Sequence, residues 1–251
     1  MHWWMPLRGF TDFKAAMETH ENWEALNRAI ISCRSCPRLV QYREGVATLK
    51  KRQFRDQPYW GKAVTGFGDP LARLLIIGLA PAAHGANRTG RVFTGDSSGD
   101  WLFDALYRFG YASRPDSVSR EDGMQLRDTF ISAVVRCAPP QNRPSAEELL
   151  QCRSYLHSEI HLLSRVRLII TLGRIAMDHY WSLYRTLHPG ADRIAKPPFL
   201  HGGVTLLPNG QWLLTSYHPS RQNTQTGRLT TAMWYDIFTK AKKLIAQVDR
   251  L

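Results

Sequence analysis

The chain has 251 residues, 43% of them hydrophobic, which is enough for one α/β domain or at most two small ones. No apolar run of about 18 residues occurs, and the opening MHWWMPLRGF lacks the apolar region of a signal peptide, so no membrane span is expected and a soluble, reducing, cytoplasmic setting is predicted. Lys plus Arg number 33 against 21 Asp plus Glu, a net +12 that favours polyanions through phosphate contacts, with generic solubility of a basic protein as the plainer alternative.

In chain order, residues 20–32 read as a short helix with Trp23, Leu26, Ile30 and Ile31 on one side. It delivers Cys33 and Cys36. Residues 41–60 are polar and basic (Arg43, Lys50, Lys51, Arg52, Arg55) and read as a surface loop, either a solvated face or a DNA contact. Leu71–Pro81 is a continuous apolar run, the mark of a buried parallel strand. A long polar loop follows from Ala82 to Ser98. Trp101, Leu102, Ala105, Leu106 and Phe109 then recur at helical spacing. Thr129–Cys137 is a second strand, followed by the loop 138–145. Ser145 and Glu148 form a capping box that opens a helix to about Leu163, carrying Cys152. Arg167–Gly173 is a third strand, with a helix from Arg174 to Tyr184. Gly203–Leu207 and Gln211–Ser216 read as strands joined by Pro208-Asn209-Gly210, and a last helix runs from about Arg228 to Val248.

Strands alternating with helices predict one α/β domain over 1–251, with a central, mainly parallel sheet flanked by helices. Functional loops leave the carboxyl ends of such strands, so 80–98, 138–145 and 217–227 should converge. Gly85 and Gly90 have the spacing of a phosphate loop, but Arg91-Val92 follow where Lys-Ser/Thr would be needed, which argues against a nucleotide triphosphatase. His218 stands just after a strand with Pro219 fixing its backbone, placed to donate to an anion forming in a pocket. Ser220, Arg221, Gln222 and Asn223 are placed to contact a nucleic acid.

Cys33, Cys36, Cys137 and Cys152 are the four cysteines of the chain. The number and spacing do not suit a small disulfide scaffold, and a close pair completed by two distant thiols suits an all-cysteine metal or iron–sulfur site. By chemistry alone zinc and iron–sulfur fit equally, and reduced structural thiols remain open. Any shared site would tie segment 1–60 to the core.

The stretches GLAPAAHGANRTGRVFTGD (78–96), VVRCAPPQNRPS (134–145) and YHPSRQNTQTGRLT (217–230) resemble a uracil-DNA glycosylase of that superfamily's family 5, over nearly the whole chain from about Cys33. The resemblance implies a uracil-DNA glycosylase-like fold and a structural [4Fe–4S] cluster on the four cysteines. It implies a monofunctional DNA glycosylase of base excision repair that flips uracil, and also hypoxanthine or etheno-cytosine, out of double-stranded DNA. His218 would stabilise the departing uracil anion, and Phe93 would stack on the flipped base. The backbone from Gly78 through Ala80 to Ala82 would line the pocket.

The chain departs from related families in two places. Leu79 and Ala80 stand where others carry a polar residue to position water. Ala133 stands where family 4 carries an Asn that reads the uracil edge, so Asn142 becomes the candidate replacement, with a turn role as the alternative. His84, Asn87 and Asp96 are the candidates for handling water, and Asp96 could instead cap a helix near 98. Arg221, Gln222 and Asn223 would press into the duplex, while Arg88 and Arg91 would contact phosphates. The expected partner is DNA bound by a monomer in the cytoplasm, at the nucleoid of a prokaryotic-type cell. Two other readings compete. A metal-stapled nucleic-acid-binding module explains the charge and cysteines but not the 78–100 loop or His218. A metal-dependent nuclease would have to rely on Asp96 and Asp100. No catalytic lysine stands in the motifs, which argues against Schiff-base chemistry.

Overall fold

The computed structural model describes residues 22–248. Six strands form one sheet in the order β1-β3-β2-β4-β6-β5. Its centre is parallel: β3 (Thr129–Ala133), β2 (Leu74–Gly78), β4 (Leu168–Leu172) and β6 (Trp212–Ser216). The short edges β1 (Phe67–Gly68) and β5 (Val204–Leu206) pair antiparallel.

The central strands are buried on both faces, which is why they appear in the sequence as unbroken apolar runs. Within them the two-residue pleat still sorts side chains. Leu74 and Ile76 join one cluster with Ile131, Leu168, Ile170 and Leu214, and Leu75 and Ile77 join the other with Phe130, Ile169 and Leu213. Helices α4 (Ser97–Arg108) and α8 (Thr231–Val248) cover the first face, where Trp234 and Phe238 are fully buried. Helices α5 (Ala146–Leu162) and α6 (Arg174–Leu187) cover the second, together with helix α1 (22–32), whose Trp23 meets Phe130 at 5.0 Å between ring centres. The capping box of α5 is present, with Ser145 accepting from the Glu148 N–H and Glu148 from the Ser145 N–H. Of the helix predicted at 20–32, residues 20 and 21 lie outside the described residues.

Three segments differ from the sequence reading. Helix α2 (Pro37–Leu49) takes up the first part of the 41–60 segment expected as a surface loop, and its Arg43 is buried at 1% exposure. Pro37 at the first helical position fixes the entry. The loop 82–98 contains the one-turn helix α3 (Ala86–Thr89), and the loop 217–227 contains a short helix α7 (Arg221–Gln225), capped by Ser220.

Strand order reverses at β2. The chain leaves it for β3 on one side and returns to β4 on the other, so the carboxyl ends of β2 and β4 form the crevice where open α/β sheets bind ligands.

Candidate active site

The three predicted loops do meet at that edge, around a cavity of about 230 Å³. That is below the roughly 300–1,000 Å³ of drug-sized ligand pockets and suits a single ring better than a nucleoside triphosphate. Leu79 to Ala82, straight after β2, make one wall, and Phe93 and His218 make another. Asp96, Ser98, Asn142 and Ser220 supply the polar groups.

Phe93 and His218 stack, with ring centres 5.7 Å apart and planes 28° from parallel. The Phe93 ring lies on Gly78, where an added Cβ would sit 2.7 Å from two ring carbons. Phe93 itself has φ +53°, a left-handed conformation that is unusual for a bulky side chain and marks a locally strained position. Burial pushes the His218 imidazole down to about 4, so it is neutral at physiological pH. The ring makes no hydrogen bond within the described residues, which leaves its N–H for a ligand. The loop behind it is fixed, because the Asn223 amide donates to the His218 carbonyl at 2.8 Å.

Asp96 divides its carboxylate. Oδ1 accepts from the N–H groups of Ser98 and Gly99 at 3.0 and 3.1 Å and caps α4. Oδ2 makes no hydrogen bond within the described residues and rests over Gly85, where an added Cβ would fall 1.9 Å from it. Burial raises the Asp96 carboxyl above its ordinary value, although the two amides oppose this. Asn142 is exposed at φ +56°, and its carboxamide is unpartnered at the cavity rim.

Several predicted site residues do not reach the cavity. Gly78 seats Phe93 rather than lining the wall. Asn87 is fully buried and outside the cavity lining; its amide donates to the Arg43 carbonyl at 3.1 Å and braces the loop against α2, while its Oδ1 has no partner among the described residues. His84 turns the other way, with Nδ1 3.0 Å from the Tyr59 hydroxyl. Arg91 is 4% exposed and pairs with Asp122 at 2.5 Å, which is no place for a phosphate contact. Arg88 is spent on the His84 and Gly95 carbonyls and on Gln57, with Phe54 beneath it. At α7, Arg221 and Gln222 are exposed, Arg221 reaches Ser97 at 3.1 Å, and Ser220 lines the cavity. Ser98 was missed, although its place just inside a helix opened by Asp96 was the available signal.

The four thiols share one neighbourhood. Cys137 and Cys152 are buried, and Cys33 and Cys36 are half-buried. Burial pushes Cys137 up to about 12 and Cys36 up to about 11, and the charges of the other cysteines add to both. For Cys33 burial acts upward, but hydrogen bonds from Ser35 and Tyr155 and the charge of Arg43 leave it below its ordinary value. The Arg43 guanidinium donates to Cys137 Sγ at 2.8 Å and to the Cys33 carbonyl at 2.9 Å, and among the described residues it has no carboxylate partner. A buried cation set among thiols suits thiolates rather than neutral thiols. Among the described residues no three His, Cys, Asp or Glu side chains stand ready to hold a metal ion.

The family model described as the uracil DNA glycosylase superfamily matches residues 65–242. A type-5 uracil-DNA glycosylase of Mycobacterium leprae is 53% identical over 220 residues, which is 87% of this chain and 94% of that protein. One of Thermus thermophilus is 48% identical over 221 residues, covering 88% and 97%. One of Pyrobaculum aerophilum is 42% identical over 229 residues, covering 90% and 96%. With the sheet order, the pocket at the strand ends and these likenesses together, the chain belongs to the uracil-DNA glycosylase superfamily and is an enzyme of the DNA glycosylase class.

Proposed function

We propose that the protein is a monofunctional glycosylase acting in base excision repair on uracil in double-stranded DNA, and on other deaminated or damaged bases such as hypoxanthine or etheno-cytosine. The observation that carries this is the neutral, unpartnered imidazole of His218 stacked against Phe93 in a cavity sized for one base.

The flipped uracil enters against Phe93, its edge toward the Asn142 carboxamide. The C1′–N1 bond breaks with its electron pair going to the base, which becomes an anion delocalised onto O2. The His218 N–H donates to that oxygen. One preorganised donor of this kind is worth roughly 2.7–4 kcal/mol in measured systems. Positive charge builds on the sugar, and Asp96 Oδ2 is the nearby anion that opposes it and orients the water. The water oxygen bonds to C1′ and passes its proton to Asp96 Oδ2, which releases it to solvent, and the uracil anion takes up a proton from solvent as it leaves. The other wall, Leu79 to Ala82, carries no polar side chain, so the pocket imposes few base-specific contacts, which supports a broad substrate range. Arg221 and Gln222 at the exposed end of α7 fill the gap left in the duplex.

Cys33, Cys36, Cys137 and Cys152 would hold a [4Fe–4S] cluster, a structural group that ties the N-terminal segment to the core of a single domain. The Arg43 cation, which donates to Cys137 Sγ and the Cys33 carbonyl, would offset the negative charge of such a group. Nothing in glycosidic hydrolysis requires an electron, so the cluster takes no part in the bond-breaking step. The protein acts as a monomer in the cytoplasm, at the nucleoid.

The test is a labelled duplex with one U opposite G, in excess chelator. Free uracil and a nick only after alkali are expected. A nick before alkali would instead show lyase or nuclease chemistry. Neither product from soluble protein would favour the binding-module reading.

A further inference from the structure

Beside the base pocket, on the β5–β6 side of the same carboxyl edge, stands a group of side chains that the reaction does not use. Tyr217 comes directly before His218. Its ring stacks on His201 at 5.0 Å and tilts against Phe199 at 6.0 Å. Arg228 lies over the Tyr217 ring at 4.8 Å, and Arg174 lies over Phe199 at 5.2 Å. Both arginines are exposed, and neither forms an ion pair or hydrogen bond within the described residues.

Three features distinguish this from an ordinary solvated face. First, the cations are held. A guanidinium laid on an aromatic ring loses part of its freedom before any ligand arrives, while its N–H edges stay open for hydrogen bonds. Second, the rings are held in turn. His201 Nδ1 accepts from the Tyr217 N–H at 3.2 Å, which leaves Nε2–H to donate to the Met233 carbonyl at 3.3 Å. Third, the place is fixed relative to the chemistry. Arg174 opens α6 directly after Gly173, where an added Cβ would lie 3.6 Å from the His218 Cβ. The nearby carboxylates Asp178 and Asp236 are already paired with Lys196 and Lys240.

Two held, unpaired guanidinium groups next to the flipped-base pocket are matched by a chain of phosphates that continues from the base. We infer that Arg174 and Arg228, braced by Phe199 and Tyr217, seat successive phosphodiesters of the damaged strand flanking the flipped nucleotide. The inference rests on the glycosylase reading. The strand enters along this arginine–aromatic surface and leaves past α7, so the damaged nucleotide is gripped from both sides. Guanidinium groups bind phosphate through paired N–H donors, and an acidic peptide would lack the regular spacing that continues into the pocket.

The experiment measures binding of a uracil-free duplex over a series of salt concentrations. Each phosphate neutralised contributes about 0.9 to the slope of log affinity against log salt. The double variant Arg174→Gln, Arg228→Gln keeps a stem over each ring and removes both charges. Its slope is expected to fall by about 1.8. Each single variant should lose about half of that, which serves if the double variant fails to fold. The Arg174→Lys, Arg228→Lys pair should keep the wild-type slope. A wild-type slope in the Gln variants overturns the inference. Because the readout is binding to undamaged DNA, a missing uracil release would count against the glycosylase reading and not against this surface.

Discussion

Arg43 donates to the sulfur of Cys137 at 2.8 Å, and its own carbonyl accepts from the Asn87 amide at 3.1 Å. One buried arginine thus touches the thiol group on one side and the cavity-lining loop on the other. The guanidinium Nε finds no partner among the described residues, and its other nitrogens donate to the Cys137 sulfur and the Cys33 carbonyl.

If the four cysteines hold the proposed cluster, Arg43→Gln should weaken its retention. Iron content per chain should fall, and the visible absorbance should bleach faster in air than in wild type. A variant with full iron and unchanged bleaching would show that the guanidinium does not act as the counter-charge.

Gly78→Ala places a methyl 2.7 Å from the Phe93 ring. The ring must shift off the pocket wall. Stacking on an aromatic is worth about 1–3 kcal/mol per base, so uracil release should fall roughly 5- to 150-fold. Phe93→Ala should fall in the same range, and the double variant should be little worse than either single one. Additive losses would mean that Gly78 acts by another route.

Asp96→Asn keeps a residue that caps helices well while removing the charge. Thermal stability should stay close to wild type, and single-turnover release should drop at least tenfold. Asp96→Ala should also lose about 1 kcal/mol of stability with the cap. An Asn variant at full rate would reduce Asp96 to its cap.

The pH dependence follows from His218. Its folded value is about 4 against an ordinary 6.5, so between those values the unfolded chain holds the extra proton. Its contribution to stability is fully present above pH 6.5 and is lost as pH falls toward 4. The N–H donor is neutral throughout the physiological range, so release measured between pH 5.5 and 8 should show no fall centred near 6.5 from this residue. A rate that rises on acidification through 6.5 would mean that a charged imidazole is the working form.

The parts legible in the sequence were those set by local rules. Leu74–Gly78 and Leu168–Leu172 stood out because strands buried on both faces need unbroken apolar residues. The Ser145–Glu148 box marked α5 to the residue. Helix α2 was hidden because its inward face is only Leu39, Val40 and Arg43, and an arginine in the core is unexpected until a distant Cys137 stands beside it. Asn87 and Arg91 misled for the related reason that a polar residue in a long loop suggests function. Their partners, the Arg43 carbonyl and Asp122, lie 44 and 31 residues away in the chain and leave no local trace. His218 was found from its place just after a strand, Phe93 and Asn142 through the family resemblance, and the fold brings all three to one cavity.

The most direct test compares free uracil released in a single turnover by wild type and by His218→Ala, both carrying equal iron, from a duplex with one U opposite G. The account predicts unchanged duplex binding and a loss of about 100- to 1,000-fold in release. Release at the wild-type rate by a folded His218→Ala protein would contradict it.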